Sequence, residues 1–221
     1  MDFSFSPEQE DLRREARSFL EANPSPSDEQ LADLGWVGIL QSQDFTFLDA
    51  AVLFEELGRA LYDGAYVQNE VGDDRRKLLA AYALEAVGIG SKAIELAVAY
   101  AGEREQFGKK IGSYQAISHS VVDAYVAVEL ARSLAYWAAW AVAEGDEHAD
   151  LAVAAAKSQA AEAAVLACEK SIQAHGGIGF TWEHPLHRYY KRALWLEGFG
   201  ASPAQLRSQV ADLVLGAPIP A

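Results

Sequence analysis

The chain has 221 residues, 51% of them hydrophobic, and a formal net charge of −14. Nucleic-acid phosphates and anionic membrane faces repel such a polyanion, so neither is an expected partner. A single cysteine, Cys168, excludes a disulfide framework and a thiolate metal site, and the length allows one large or two small domains.

The opening MDFSFSPEQEDLRR has no basic region followed by an apolar run, and no stretch reaches the ~20 uninterrupted apolar residues of a membrane span. The expectation is a soluble, cytoplasmic protein. Ser6-Pro7-Glu8-Gln9 is a helix start: Ser6 caps, Pro7 suits the first helical position and Gln9 closes a capping box. This helix should reach about Ala22, with Leu12, Ala16 and Leu20 on its buried face, and Asn23-Pro24 ends it. Ser27 with Gln30 opens a short second helix that stops near Gly35. Thr46 with Asp49 opens a third, whose stripe Phe47, Ala50, Phe54, Leu57 and Leu61 keeps a helical spacing. Residues 62–73 carry no helical period and read as a linker.

Asp73 or Asp74 caps the next helix, which should run to about Gly102. Its face reads Leu79, Ala83, Ala86, Gly90, Ala93, Ala97 and Tyr100, small enough for a neighbouring helix to approach closely. Beyond a joint at 104–112, Ser113 should start another helix with the stripe Tyr114, Ile117, Val121, Tyr125 and Val128. Residues 144–146 form a turn. Leu151, Ala154, Ser158, Ala161, Val165, Cys168, Ile172 and His175 then trace a bundle seam, which makes Cys168 a small core residue. Gly176-Gly177 stops that helix, and residues 183–199 read as one or two shorter ones. Ser202-Pro203 caps a last helix ending near Leu215, and 217–221 reads as a frayed tail. No alternating strand pattern appears. The predicted fold class is all-α: an N-terminal helical domain at 1–63, a linker at 64–73, and a long-helix (four-helix) bundle at 74–221.

The joint REQFGKKIG gathers Arg104, Lys109 and Lys110 in an otherwise acidic chain. Cations at a glycine-flanked turn suit an anion, and a guanidinium suits a phosphate pair. They equally suit the C-terminal dipole of the preceding helix. The second loop, QAHGGIGF, carries two glycines directly after a long helix, where a ligand or another backbone can come close. A helix stop needs only one of them. Consecutive long helices run antiparallel, so the ends at 104 and 173 fall at one pole of the bundle. A basic loop beside a glycine loop there makes a dinucleotide grip. Glu85 lies in an apolar stretch; it could serve as a base with a raised pKa, though such a residue more often makes a buried hydrogen bond or ion pair. His184 and His187 invite a metal, but no third ligand is signposted and Pro185 disfavours helix at His184. No metal is assigned.

REQFGKKIGSYQAISH followed by QAHGGIGFTWEHPLHRYYKRA resembles the C-terminal helical domain of the acyl-CoA dehydrogenase family. FSPEQEDLRREARSFLE, LGWVGIL and FEELGRAL are similar to that family's N-terminal helical domain. The resemblance spans nearly the whole chain. It implies FAD as cofactor, an acyl-CoA thioester oxidised at its α,β bond, and a dimer of dimers with the flavin dinucleotide across a subunit interface. Arg104 matches the arginine that reaches the FAD pyrophosphate of the neighbouring subunit, and Gln106 and Phe107 flank that contact. Gln173, Gly176 and Gly177 match the segment against the adenosine half.

Two departures stand out. The family has a β-domain where this chain has residues 64–73, and the chain is also trimmed at 41–45. The family's catalytic glutamate falls at Gly200, with Ser202 in place of a threonine, and an alternative glutamate falls near Leu78. Glu197 lies one turn before Gly200 and reads as a solvated or capping residue. The catalytic residue is therefore left unassigned. The leading expectation is a subunit that lends trans FAD contacts to a partner, a full-length acyl-CoA dehydrogenase subunit supplying the β-domain and the base. A flavin-free helical scaffold derived from this fold is the alternative, and an enzyme of altered chemistry a third reading.

Overall fold

The structure is a computed structural model that describes residues 5–42, 45–62 and 64–216. Helices α1 (Pro7–Ala22), α2 (Asp28–Asp33), α3 (Phe47–Ala60) and α4 (Tyr66–Val71) come first. The longer α5 (Arg75–Glu103), α6 (Gln115–Glu144) and α7 (Ala149–His175) follow, then α8 (Leu186–Gly198) and α9 (Pro203–Leu215). Side chains set the starts. Ser6, Ser27, Thr46 and Ser202 each form a capping box, with Gln9, Gln30, Asp49 and Gln205. The Asp74 carboxylate accepts from the N–H groups of Arg76 and Lys77. The all-α expectation holds, and the predicted tail at 217–221 lies outside the described residues, as does part of the shortened loop.

Helix α7 is the axle: α5, α6, α8 and α9 all pack against it. The predicted seam understates its burial. Ala152, Ala156, Ala160, Ala163, Ala164 and Ala167 on its other faces are buried as well. Alanine makes this possible, since it has the highest helix propensity and the least side chain to hold neighbours off. Within residues 149–180 an 18-residue window is apolar enough to cross a membrane by composition, yet 67% of that window is buried inside the protein.

Helices α3 and α5 meet backbone to backbone. A Cβ on Gly58 would stand 2.2 Å from the Glu85 carbonyl oxygen, and one on Gly88 would stand 2.0 Å from that of Glu55. The crossing draws Glu55 and Glu56 inside, 3% and 1% exposed. Each carboxylate has an arginine. Arg132 pairs with Glu55, which also accepts from the Tyr136 hydroxyl at 2.7 Å. Arg17 binds Glu56 through two bonds of 3.0 and 2.6 Å.

Several local expectations need correction. The segment read as a linker holds α4, which docks onto the preceding loop: the Tyr66 hydroxyl donates to the Trp36 carbonyl at 2.6 Å and the Gly38 N–H donates to Glu70 at 2.7 Å. Six residues are under two turns, too few to display a period. The joint contains a small antiparallel ladder pairing Glu105 with Lys110 and Gln106 with Lys109, too short to show alternation. Helix α6 starts at Gln115, not Ser113; the Ser113 hydroxyl instead donates to the Lys110 carbonyl at 2.7 Å. Tyr125, assigned to the buried stripe of α6, is 52% exposed, and Ala124 takes the interior position.

The end of α8 is pinned by a buried cation. Lys157 of α7 is fully buried and its Nζ donates to the Leu196 carbonyl at 2.5 Å. Burial lowers its pKa from 10.5 to about 8, with Glu197 opposing the shift. Below pH 8 the folded and unfolded chains both carry this proton and the burial penalty is complete. Between pH 8 and 10.5 the unfolded chain binds more protons, so this group's contribution to stability rises with pH there.

Three outcomes are expected. Gly88→Ala should cost about 1–3 kcal/mol or more in urea unfolding, because its Cβ meets backbone. Gly102→Ala, with open space at its Cβ, should gain up to about 1 kcal/mol in the same measurement. Lys157→Met should remove the rise in stability of the parent chain across pH 8 to 10.5, read as the difference between the two unfolding curves against pH.

Candidate functional site

The C-terminal ends of α5 and α7 lie together, as the helix directions require. The Tyr100 and His175 rings stack at 4.4 Å between centroids, and a cleft of about 450 Å³ opens beside them. Tyr100, Arg104, Gln106 and Phe107 form one wall, Ala174, His175 and Gly176 another, and Ile111, Tyr114, Ala116 and Ile117 close it from the start of α6. The expected juxtaposition of the basic and glycine loops is therefore present. Gln173 and Gly177, named with them from sequence, are exposed and do not line the cleft. Tyr100 and His175 had been read as helix-face residues only; their places one turn before Arg104 and directly before Gly176 were the available signal.

The hairpin presents its groups outward. Arg104 is exposed, its N–H bonds the Tyr100 carbonyl at 2.9 Å, and its guanidinium has no partner among the described residues. Lys109 is occupied, with its Nζ 4.2 Å over the Tyr114 ring. The Tyr114 hydroxyl donates to the Gln106 carbonyl at 3.0 Å and braces the hairpin against α6. The two turn residues, Phe107 and Gly108, have φ of 53° and 79°. A left-handed backbone is routine for glycine and costly for phenylalanine. The Phe107 ring is nevertheless 93% exposed, so packing of the ring among the described residues does not offset that cost. Gly176 also has a positive φ, 63°, and a Cβ there or at Gly177 would meet open space.

The His175 ring is oriented by its Nδ1–H, which donates to the Ser171 carbonyl at 2.8 Å. His184 leans on it at 4.4 Å, and burial, then His175 and His187, hold the His184 pKa below its ordinary value. His187 turns away to the Trp182 ring at 4.6 Å. Among the described residues no group of three or more His, Cys, Asp or Glu is placed to hold a metal.

The carboxylates weighed as bases are placed elsewhere. Glu85, 4% exposed, accepts from Arg192 Nε and Nη2 at 2.6 and 3.0 Å; burial raises its pKa and Arg192 opposes the shift. This is the ion pair that competed with the catalytic reading. Glu197 is half-buried beside Lys157. Gly200 has φ 75°, and a Cβ there would stand 3.0 Å from Leu79 Cδ2. Leu78 is half-buried and apolar.

The alanine-cored bundle, with two of its long-helix ends converging on an unpaired guanidinium and a glycine loop, is an all-α helical domain. A family model, "Acyl-CoA dehydrogenase, C-terminal domain", matches residues 58–215, and the chain belongs to the acyl-CoA dehydrogenase family. Acyl-CoA dehydrogenase IpdE2 of Mycobacterium tuberculosis is 40% identical over 123 residues, covering 56% of this chain and 36% of the relative. Acyl-CoA dehydrogenase FadE34 of the same organism is 43% identical over 142 residues, covering 62% of this chain and 20% of the relative. The matched stretches thus span about a third or less of these relatives. The ChsE4-ChsE5 complex from M. tuberculosis shares the fold across 100% of both chains, with a TM-score of 0.84 at 18% identity.

Proposed function

We propose that this chain is a subunit of an FAD-dependent acyl-CoA dehydrogenase assembly, and that it grips a flavin dinucleotide held mainly by a partner subunit. The observation that carries the reading is the cleft at the common pole of α5 and α7, where Arg104, Gln106 and Phe107 face Gly176. The donor set fits such a group. The Arg104 guanidinium is free to take a pyrophosphate through paired N–H bonds. The bare Gly176 backbone leaves room for close approach, and Gln173 and Gly177 flank it on the exposed side. The Tyr100 ring, half-buried and backed by His175, suits contact with an aromatic ring system. When bound, the flavin supplies the oxidising chemistry for α,β-dehydrogenation of an acyl-CoA thioester.

The chain's own part is to bind and orient. Removal of an α-proton needs a positioned base, and Glu85 is engaged by Arg192 while position 200 is glycine. The base, like the β-domain missing at 64–73, is therefore assigned to a full-length acyl-CoA dehydrogenase partner. Phe107 supports a shared interface, because a strained, exposed aromatic gains its compensation from a second chain. So does the outer face of α6, where Val122, Tyr125, Val126 and Leu130 are exposed in one stripe. The likeness to a two-component complex points the same way. The assembly is read as cytoplasmic.

The test is co-purification with a full-length acyl-CoA dehydrogenase subunit, followed by a visible spectrum. Flavin absorbance that depends on both chains is the expected result, and Arg104→Ala should lower retained flavin about tenfold or more while far-ultraviolet dichroism stays unchanged. Equal flavin in the parent and Arg104→Ala assemblies would remove Arg104 from the site. A colourless assembly with every partner tried would favour the flavin-free scaffold.

A further inference from the structure

A second concavity opens where α1, α3, α5 and α8 meet, and the flavin reading makes no use of it. Its volume is about 240 Å³. That is below the roughly 300 Å³ of a drug-sized site, so it suits a molecule of amino-acid size. Leu20 of α1, Ala60 of α3 and Tyr189 of α8 give it an apolar wall. The Tyr189 hydroxyl is already spent, donating to the Arg59 carbonyl at 2.9 Å.

Charges of both signs face this wall, and some of them are unsatisfied. Glu56 accepts from Arg17 Nε and Nη2, and Glu95 accepts from both terminal nitrogens of Arg59. Three groups lining the cavity stay unspent among the described residues. Arg17 Nη1 has no hydrogen-bond partner. Lys92 Nζ stands 3.7 Å from Glu95, beyond hydrogen-bond reach. The Glu21 carboxylate lies 3.8 Å from Arg59 and accepts no hydrogen bond. A simple anion here would gain Arg17 and Lys92 but face the Glu21 charge. A simple cation would gain Glu21 but face the two bases. A small molecule carrying both signs side by side uses all three groups.

We propose that this cavity binds a free α-amino acid with a small apolar side chain. Its carboxylate accepts from Arg17 Nη1 and Lys92 Nζ, its ammonium donates to Glu21, and its side chain lies on Leu20, Ala60 and Tyr189. Lys92 stands roughly 18 Å along α5 from Arg104, at 1.5 Å per residue. The cavity shares no residue with the flavin grip, so the two readings fail separately.

Chemical-shift titration of the isotope-labelled chain at neutral pH tests this with three probes: L-leucine, 4-methylpentanoate and 3-methylbutylamine. They share one apolar body and differ in charge. Leucine should bind about tenfold or more tighter than either of the others, and shift the amides at 17–24, 56–60 and 92. Two variants cross the test. The Glu21 and Lys92 side chains are 58% and 29% exposed, so neither change endangers folding. Glu21→Gln should weaken leucine about tenfold while 4-methylpentanoate binds at least as well as before. Lys92→Met should weaken leucine to a similar degree while 3-methylbutylamine binds at least as well as before. The proposal is overturned if leucine binds no tighter than the singly charged probes, if none of the three binds, or if its shifts fall elsewhere. Leucine binding that survives both variants also overturns it.

Discussion

The contact between α3 and α5 at Gly58 and Gly88 governs much of the rest. Two helices can touch backbone to backbone only where side chains are missing on both, and here the two glycines face each other's glutamates. The close crossing leaves the carboxylates of Glu55, Glu56 and Glu85 inside a largely apolar interior. A lone buried carboxylate is too costly to keep, so each needs a cation with good geometry. Arg132, Arg17 and Arg192 answer from α6, α1 and α8. Those three helices are thereby held in register around α3 and α5 by charge pairing, while α7 holds the rest by close packing.

Much of this was legible beforehand because helix termini announce themselves. Ser6, Ser27, Thr46, Asp74 and Ser202 all cap where their local chemistry said they would. The convergence of the 104 and 173 ends followed from antiparallel succession alone. What stayed hidden was decided by distance along the chain or by brevity. Helix α4 was too short to be periodic. Tyr125 belonged to an apolar stripe, but α6 has two apolar sides and the pattern cannot say which one faces inward. Gly58 and Gly88 are ordinary helix residues until their helices are brought together. Arg17, Arg132 and Arg192 lie 39, 77 and 107 positions from the buried glutamates they pair with, too far for any local pattern.

The candidate site divides along the same line. Arg104, Gln106, Phe107 and Gly176 were readable as loop chemistry at a shared pole, and they line one cleft. Gln173 and Gly177 sit outside it, because a helix end turns successive residues through about 100° and only some can face a given direction. The strained backbone of Phe107 could not be read from sequence, since Phe-Gly is not a typical pair for a two-residue hairpin turn. Nor could the stack of Tyr100 on His175, which needs the two helices side by side. The cleft is thus built from loop residues readable in sequence and from ring contacts that only the packed helices create.

Gly200 carries a further implication. A glycine codon is one nucleotide away from a glutamate codon, so acquiring an acid at this position looks trivial on paper. The left-handed backbone and the nearby Leu79 side chain make the polypeptide resist that change. An acid at position 200 would therefore ask the α8–α9 connection to change its backbone along with the side chain.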